Sequence, residues 1–183
     1  NDPLTTDGTL QFFTWNDASG KEAFWHSSAH VLAQAIVHFY PAAKLTIGPA
    51  IEKGFYYDVD FGEETIGEKD FEKIEKQMLE FARAKSEFKL RAVTKAEALE
   101  AYKHNPYKTE LIANLEDGTI TFCDHADFTD LCRGGHIPHT GYIKAVKIMN
   151  VAGAYWRGDE NNPQLTRVYG VSFQKQGELK EYL

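Results

Sequence analysis

Apolar residues recur at helical spacing over residues 19–40 and form a stripe along one face. Ser19 and Glu22 stand at the N-cap and N3 positions of a capping box, which is a signature of helix starts. Pro41 follows the stretch, and a helix usually ends before a proline. The pattern therefore predicts a long amphipathic helix that opens at Ser19 and ends near Tyr40.

Alternating apolar and polar positions predict strands elsewhere. Residues 44–51 and 55–61 flank a short loop that ends in Gly54, which is typical of a β-hairpin. Tyr57 shares a strand face with the apolar residues two positions away on either side. Further strands are predicted at residues 1–15, 88–93, 119–123, 128–132, 141–151, 154–158 and 165–173, and further helices at 68–88, 94–102, 105–115 and 177–183. The order of elements indicates one α+β domain with mostly antiparallel strands.

Composition narrows the setting of the domain. The chain has 183 residues, of which 43% are hydrophobic, enough for one packed core. No run of about 18 apolar residues occurs, so we expect no membrane span. Cys123 and Cys132 are too few for a disulfide scaffold, and we expect a reducing, cytoplasmic setting. A net charge of -7 argues against a general nucleic-acid coat, but it allows recognition of one RNA end while another module binds phosphates.

Four side chains carry most of the candidate chemistry. His26 and His30 lie four residues apart in the first predicted helix and therefore share one face. Cys132 and His136 lie in D-L-C-R-G-G-H, where two glycines let the backbone turn sharply. If the fold joins the two pairs, three imidazoles and one thiol can bind zinc or carry out acid–base work on a substrate. Spacing alone leaves both readings open.

Five motifs together resemble a known family. They are H-S-S-A-H, G-P-A-I-E-K-G-F-Y-Y-D, D-L-C-R-G-G-H, A-Y-W-R-G-D and R-V-Y-G, and they are similar to the editing domain of threonyl-tRNA synthetase. The resemblance runs from about Gly20 to Phe173. The alanyl-tRNA synthetase editing domain shares the histidine pair and the cysteine–histidine pair more distantly. Gly135 departs from the family, which commonly has proline there, so we expect a more flexible loop.

The resemblance implies a two-layer α/β fold. A mostly antiparallel sheet packs on the long helix that bears the histidine pair, and a cleft is lined by the four side chains. It also implies that residues 1–18 end a preceding ubiquitin-like domain or linker and that 19–175 form the editing domain. Residues 176–183 would begin the linker helix to an aminoacylation domain. On this reading the chain is a piece of a larger synthetase, whose other domains are its partners and which we expect to be a homodimer.

The activity implied by the resemblance is post-transfer editing, the hydrolysis of serine from the 3′ end of mischarged threonine tRNA. Serine is threonine without one methyl group, and such a difference is worth only about 1–3 kcal/mol in a binding pocket. A second site that excludes threonine by size solves this problem. Two alternatives stay open. One is a free-standing, zinc-dependent aminoacyl-tRNA deacylase of the alanyl-related kind. The other is a non-catalytic module that docks on the tRNA acceptor stem and holds a structural zinc.

The resemblance also implies roles for individual residues. His26 lies near the ribose hydroxyl and helps to organise a water, and Lys108 matches the family's catalytic lysine near the carbonyl. Asp130 pairs with the ammonium group of the seryl substrate. Tyr57 either lines the pocket and limits side-chain size or only packs in the core. The remaining catalytic candidates complete the pocket: His30, Cys132 and His136.

Covalent catalysis and metal binding are the two competing chemistries. Cys132 has a histidine nearby that would activate it as a nucleophile, but the family is understood to use water directly. Zinc is possible at the four donors that the alanyl relatives use for it: His26, His30, Cys132 and His136. The threonyl branch, which this chain resembles more closely, works without zinc, and a lysine near the carbonyl can do the electrostatic work of a metal. We therefore expect no required metal or other cofactor in this domain.

Overall fold

A computed structural model describes residues 5–183, and its elements confirm the α+β class. The helices are α1 (Ala18–Phe39), α2 (Glu68–Arg83), α3 (Lys95–Ala101), α4 (Pro106–Ala113) and α5 (Gln176–Tyr182). The strands are β1 (Lys44–Leu45), β2 (Ala50–Ile51), β3 (Gly54–Asp60), β4 (Lys89–Ala92), β5 (Thr121–His125), β6 (Phe128–Leu131), β7 (Ala145–Tyr155) and β8 (Gln164–Phe173). Thr140–Tyr142 and Trp156–Gly158 form short 3-10 turns. Across residues 5–183, no helix is long and apolar enough to cross a membrane.

The larger sheet is antiparallel throughout. β1 and β2 both pair with β3, β3 pairs with β8, and β8 pairs with β7. Helix α1 packs against this sheet, and Phe55, Tyr57 and Val59 are buried between them on one strand face, as predicted. Helix α2 joins the same core through Ile74 and Met78. We call α1, α2, β1–β3, β7 and β8 the main lobe.

A second sheet forms a smaller layer of its own. Its three strands are antiparallel in the order β4-β5-β6, and α3 and α4 bury a separate apolar core against them. The members of this core are Val93, Ala98, Ile112, Ile120 and Phe122. We call α3, α4 and β4–β6 the small lobe. The expected packing of an antiparallel sheet on the long helix describes the main lobe, while the remaining strands belong to the small lobe.

Two predicted helix ends are wrong. Helix α1 begins at Ala18 with Asp17 as its N-cap residue, so Ser19 lies inside the first turn and forms no capping box with Glu22. The Asp17 carboxylate instead accepts hydrogen bonds from N and Oγ of Thr14 at 2.7 and 2.9 Å. Helix α2 ends at Arg83 rather than near residue 88. Lys85 has a φ of 54°, and this left-handed conformation stops the helix although the apolar stripe continues.

Two predicted strands are also wrong. Residues 10–15 pair with no other strand of the described chain. Alternation of apolar and polar residues is not sufficient for a strand, because a neighbouring strand must also supply hydrogen bonds. The first part of that prediction, residues 1–4, lies outside the described residues. Residues 154–158 form no separate strand, because β7 continues to Tyr155 and a 3-10 turn follows.

The hairpin glycine gives a test of the main-lobe sheet. Gly54 has a φ of 114°, and a Cβ atom there would lie 2.3 Å from the backbone oxygen of Gly170 on β8. Left-handed strain costs about 1–3 kcal/mol, and the overlap with β8 adds to it. We expect Gly54→Ala to lower the free energy of unfolding by more than Gly62→Ala, where φ is 63° and a Cβ meets nothing within 4 Å. Urea unfolding measures both, and equal losses would contradict the close approach.

Candidate active site

The fold brings the two predicted pairs of side chains together. Helix α1 presents His26 and His30 one turn apart, with ring centroids 4.9 Å from each other. Cys132 directly follows β6, and His136 lies on the loop after it, where Gly134 has a φ of 97°. One donor atom from each of the four side chains lies within 4.8 Å of all the others. The main lobe supplies the histidine pair, and the loop that leaves the small lobe supplies Cys132 and His136.

Cys132 lies at the centre of this cluster. Its Sγ is 3.1 Å from Nε2 of His136 and 3.6 Å from Nε2 of His26, and it accepts a hydrogen bond from N of Gly134 at 3.2 Å. Burial opposes protonation of His26, but the hydrogen bond and the charge of Cys132 outweigh it and raise the pKa of His26 above its ordinary value. His26 is therefore suited to hold and release a proton near neutral pH.

The tautomer of His136 follows from its hydrogen bonds. Ser27 donates its hydroxyl proton to the backbone oxygen of Ala23 at 2.7 Å and accepts N–H of Ile137 at 3.0 Å. The 3.1 Å contact between Ser27 Oγ and His136 Nδ1 must then have Nδ1–H as its donor. Burial lowers the pKa of His136 to about 4, so the ring is neutral at pH 7. The remaining ring nitrogen, Nε2, faces the Cys132 sulfur.

The four donors partly meet the requirements of a zinc site. Two imidazoles at helical spacing, a thiol and a third imidazole form a plausible tetrahedral set. His136 has the expected partner for its second ring nitrogen, because Ser27 accepts Nδ1–H. His30 has a buried Nδ1 that makes no hydrogen bond with the described residues, and its other ring nitrogen lies near the Asp130 carboxylate. The four residues are therefore able to hold zinc.

A buried ion pair lies beside the cluster. Lys108, on the first turn of α4, places Nζ 2.6 Å from Oδ1 of Asp130 on β6, and both side chains are almost fully buried. The other carboxylate oxygen accepts the hydroxyl of Tyr57 at 2.5 Å. Burial holds the pKa of Tyr57 well above its ordinary value, so its hydroxyl keeps the proton that it donates. The structure thus places all three of these predicted site residues in one network.

The network keeps Asp130 ionised. Burial raises the pKa of Asp130, but the charges of Lys108 and His30 and the hydrogen bonds from Lys108 and Tyr57 outweigh it, so the pKa lies below its ordinary value. Nε2 of His30 is 4.0 Å from the Asp130 carboxylate. His30 therefore connects the ion pair to the thiol–imidazole cluster.

Two cavities meet at this site. The inner cavity has a volume of about 810 Å³ and lies between the lobes. All the predicted site residues except His136 line it: His26, His30, Tyr57, Lys108, Asp130 and Cys132. An outer cleft of about 880 Å³ is lined by residues 11–15, by the loop 134–138 and by Tyr142. His26 and Pro49 line both, so His26 lies where the inner cavity opens into the outer cleft.

Comparisons with known proteins agree with the motifs. Residues 120–169 match the family model of the threonyl and alanyl tRNA synthetase second additional domain. The chain is 73%, 57% and 52% identical to the threonine–tRNA ligases of Flavobacterium johnsoniae, Cytophaga hutchinsonii and Desulfatibacillum aliphaticivorans over 181, 182 and 181 residues. These alignments cover 98–99% of this chain and 28% of each relative, so the chain spans 28% of their length. Residues 120–169 of the chain are therefore similar to the second additional domain of threonyl and alanyl tRNA synthetases.

Two residues that shape the candidate site were missed in the prediction from the sequence. Ser27 orients His136, and its only signal was its place inside H-S-S-A-H. Gly48 lies against the ring of Tyr57, where a Cβ atom would be 2.2 Å from Cδ2. Glycine at this position lets the ring lie flat against the backbone, and G-P-A-I-E-K-G-F-Y-Y-D contained it without showing its purpose. The expected flexibility at Gly135 remains a prediction.

The depressed pKa of Asp130 predicts how stability depends on pH. In the unfolded chain the group returns to about 3.9, so the unfolded state binds more protons and acid favours it. The stability that Asp130 contributes is present above about pH 4 and is lost as pH falls through the lower folded pKa. Lys108→Met removes the largest cause that lowers this pKa, so the folded pKa moves toward or above the unfolded value, and we expect the loss of stability in acid to become smaller or to turn into a gain. Urea unfolding between about pH 3 and pH 7 tests this.

Lys103→Met is the matched control for that measurement, because Lys103 pairs with Glu100 on the surface. Its pH profile of unfolding free energy should run parallel to that of the unchanged chain. If Lys108→Met also ran parallel, the ion pair would not set the charge of Asp130.

Proposed function

We propose that this domain, acting as part of a threonine–tRNA ligase, hydrolyses the ester between serine and the terminal ribose of mischarged threonine tRNA. The observation that carries the proposal is the buried network of Lys108, Asp130 and Tyr57 in a cavity that has His26 at its mouth. The network supplies an anion for the amino group and a cation for the carbonyl. His26 supplies a proton-transfer group where the ribose would lie.

Asp130 is suited to bind the amino group of an aminoacyl ester. An ionised carboxylate has about four acceptor sites, and three contacts are made by Lys108, Tyr57 and the backbone N–H of Leu131. One site therefore remains for an ammonium group from the cavity. A charge-assisted hydrogen bond there would fix the amino acid in a low-dielectric setting and orient its carbonyl.

Tyr57 is suited to distinguish serine from threonine by size. Its ring is backed on one side by Gly48, and its hydroxyl is held by Asp130. Because the ring is fixed at both places, it is unable to move away from the extra methyl group of a threonyl substrate. Steric exclusion of this kind discriminates better than the about 1–3 kcal/mol that a methyl group contributes to binding. Tyr57 belongs to the main-lobe core and also lines the inner cavity, which supports the size-limiting role.

The hydrolysis itself needs a positioned water, a stabilised carbonyl oxygen and a proton for the ribose oxygen that leaves. The Lys108 ammonium stabilises the negative charge that develops on the carbonyl oxygen. His26, with its raised pKa, organises the water and passes a proton to the ribose oxygen. Water attacks the ester carbon, the bond to the ribose oxygen breaks, and serine and intact tRNA leave.

Cys132 is assigned a supporting role. Its sulfur lines the inner cavity but is engaged by two imidazoles and by the N–H of Gly134, and the proposed steps use a water rather than the thiol as nucleophile. Its contacts instead place His26 and His136 relative to each other. When bound at this cluster, zinc would supply Lewis-acid activation, and the residues that would hold it are His26, His30, Cys132 and His136. The proposed steps use Lys108 and His26 and require no metal.

The proposed function predicts which substrate is hydrolysed and what His26 contributes. In a full-length threonine–tRNA ligase that contains this chain, we expect seryl-tRNA to be deacylated and threonyl-tRNA to be spared. His26→Ala should slow seryl-tRNA deacylation by about a hundredfold or more, because a positioned acid–base group contributes that much. Release of labelled amino acid from the two substrates, measured side by side, gives both results.

His38→Ala is the control, because His38 lies exposed on the last turn of the same helix. It should leave deacylation unchanged, and both variants should keep the melting temperature close to that of the parent. If His26→Ala deacylated normally, His26 would have no catalytic part. If His26→Ala instead unfolded the protein, the cluster would be structural, as a non-catalytic docking module would require.

Removal of metal distinguishes the lysine mechanism from a zinc-dependent deacylase. Dialysis against a chelator, followed by metal analysis of the protein, should leave the rate of seryl-tRNA deacylation unchanged, since Lys108 stabilises the carbonyl oxygen. Deacylation of pre-charged tRNA is the readout, because it does not depend on the aminoacylation reaction. The zinc-dependent alternative would be favoured if the chelator abolished deacylation and added zinc restored it. Cys132→Ser should then prevent that restoration.

A further inference from the structure

The side of α4 that faces away from the cavity is held by the loop after β7. Lys108 and Glu110 are two positions apart on this helix, so they project in nearly opposite directions. Trp156 donates Nε1–H to Oε2 of Glu110 at 3.0 Å, and Arg157 places Nε 2.6 Å from Oε1. Both carboxylate oxygens of Glu110 are therefore held by consecutive residues of A-Y-W-R-G-D.

The loop adopts an unusual conformation to make these contacts. Arg157 has a φ of 55°, which is uncommon for a residue other than glycine. The turn is fixed further by the bond from Trp156 N to the oxygen of Pro163 and from Asn162 Nδ2 to the oxygen of Trp156, both 3.0 Å. Strained residues persist where the surroundings hold them, and they concentrate at functional sites.

The same loop packs against the first turn of α4. The Trp156 ring is buried edge-on against Tyr107, which immediately precedes Lys108, with ring centroids 5.3 Å apart. Tyr107 in turn donates its hydroxyl to Asp60 of β3 at 2.9 Å. The start of the helix is thus tied to the main-lobe sheet, and its outer side is tied to the loop. Together these contacts oppose rotation of α4 about its axis.

We propose that Trp156, Arg157 and Glu110 form a clamp that positions Lys108 for the reaction. The inference rests on the proposed function, since it concerns the placement of the catalytic lysine. The clamp joins a loop of the main lobe to a helix of the small lobe, so it sets where the Lys108 ammonium lies relative to His26 and Tyr57. Half-exposed ion pairs such as Arg157–Glu110 contribute little to stability. We therefore expect the clamp to act on the position of Lys108 rather than on the free energy of unfolding.

The test compares two carboxylates that hold a helix to β7 or the loop after it. Glu75 on α2 accepts Lys147 Nζ at 3.0 Å and the backbone N–H of Ile148 at 2.8 Å, but α2 carries no site residue. In the full-length ligase, Glu110→Gln should lower kcat for seryl-tRNA deacylation about tenfold to a hundredfold. KM should stay within about twofold, because the interaction lost is made in the transition state. Glu75→Gln should lower the melting temperature and leave kcat unchanged.

Arg157→Gly is the second variant, because it removes the ion pair while glycine accepts a φ of 55° without strain. It should fold at least as well as Glu110→Gln and should also lower kcat. If both variants kept the parental kcat, or lost it only as the folded fraction falls, the clamp would be structural and the proposal wrong.

A Lys108→Arg background gives the sharpest result. There the ammonium has already been replaced, so Glu110→Gln should cost much less in kcat than it does beside Lys108. A fully additive loss would show that Glu110 does not act through Lys108 and would overturn the proposal. Failure of the proposed function is distinguishable, because then neither the parent nor Glu75→Gln would deacylate seryl-tRNA.

Discussion

The candidate site depends on the ion pair between Lys108 and Asp130. Either charge alone would be strongly unfavourable at such burial, so α4 and β6 must lie where Nζ and Oδ1 meet at 2.6 Å. Tyr57 extends this constraint to β3, because its hydroxyl bonds to the same carboxylate. Buried pairs add little net stability, since desolvation offsets their attraction. The pair instead fixes α4 against β6 within the small lobe, and the Tyr57 hydroxyl joins this unit to the main lobe, which sets the shape of the cavity between the lobes.

The thiol–imidazole cluster inherits its geometry from the same constraint. His26 and His30 come from α1 in the main lobe, while Cys132 follows the strand that carries Asp130. Ser27 then closes the arrangement by accepting bonds from both His136 Nδ1 and Ile137 N, which ties the loop after Cys132 to α1. The lobes are thus joined at both ends of the inner cavity. A substrate bound there would contact groups whose positions are set before it arrives.

Features that depend on local periodicity could be predicted from the sequence. Helical spacing placed His26 and His30 on one face, and alternation placed Tyr57 on the buried face of its strand. The pairing of Lys108 with Asp130 could not be predicted from spacing, because it joins a helix to a strand 22 positions away and leaves no periodic trace. The resemblance supplied those two residues as separate roles, and only the fold shows that they share one network. The predictions for the start of α1 and the end of α2 were wrong for a different reason. Thr14 competes for the Asp17 carboxylate, and Lys85 adopts a left-handed conformation, which apolar periodicity does not detect.

Charge balance in the cavity bears on how such a site stabilises a reacting ester. Asp130 is the carboxylate of the inner cavity, and Lys108 already neutralises it. A divalent ion at the histidines would add two positive charges close to the Lys108 ammonium, and an aminoacyl substrate would add a third through its amino group. One carboxylate and one thiolate would then have to balance all of them. With Lys108 as the cation, Asp130 keeps an acceptor site for the substrate, and His136 stays a neutral orienting group. The charges in the cavity are therefore closer to balance when a buried lysine, rather than a metal, faces the developing negative charge.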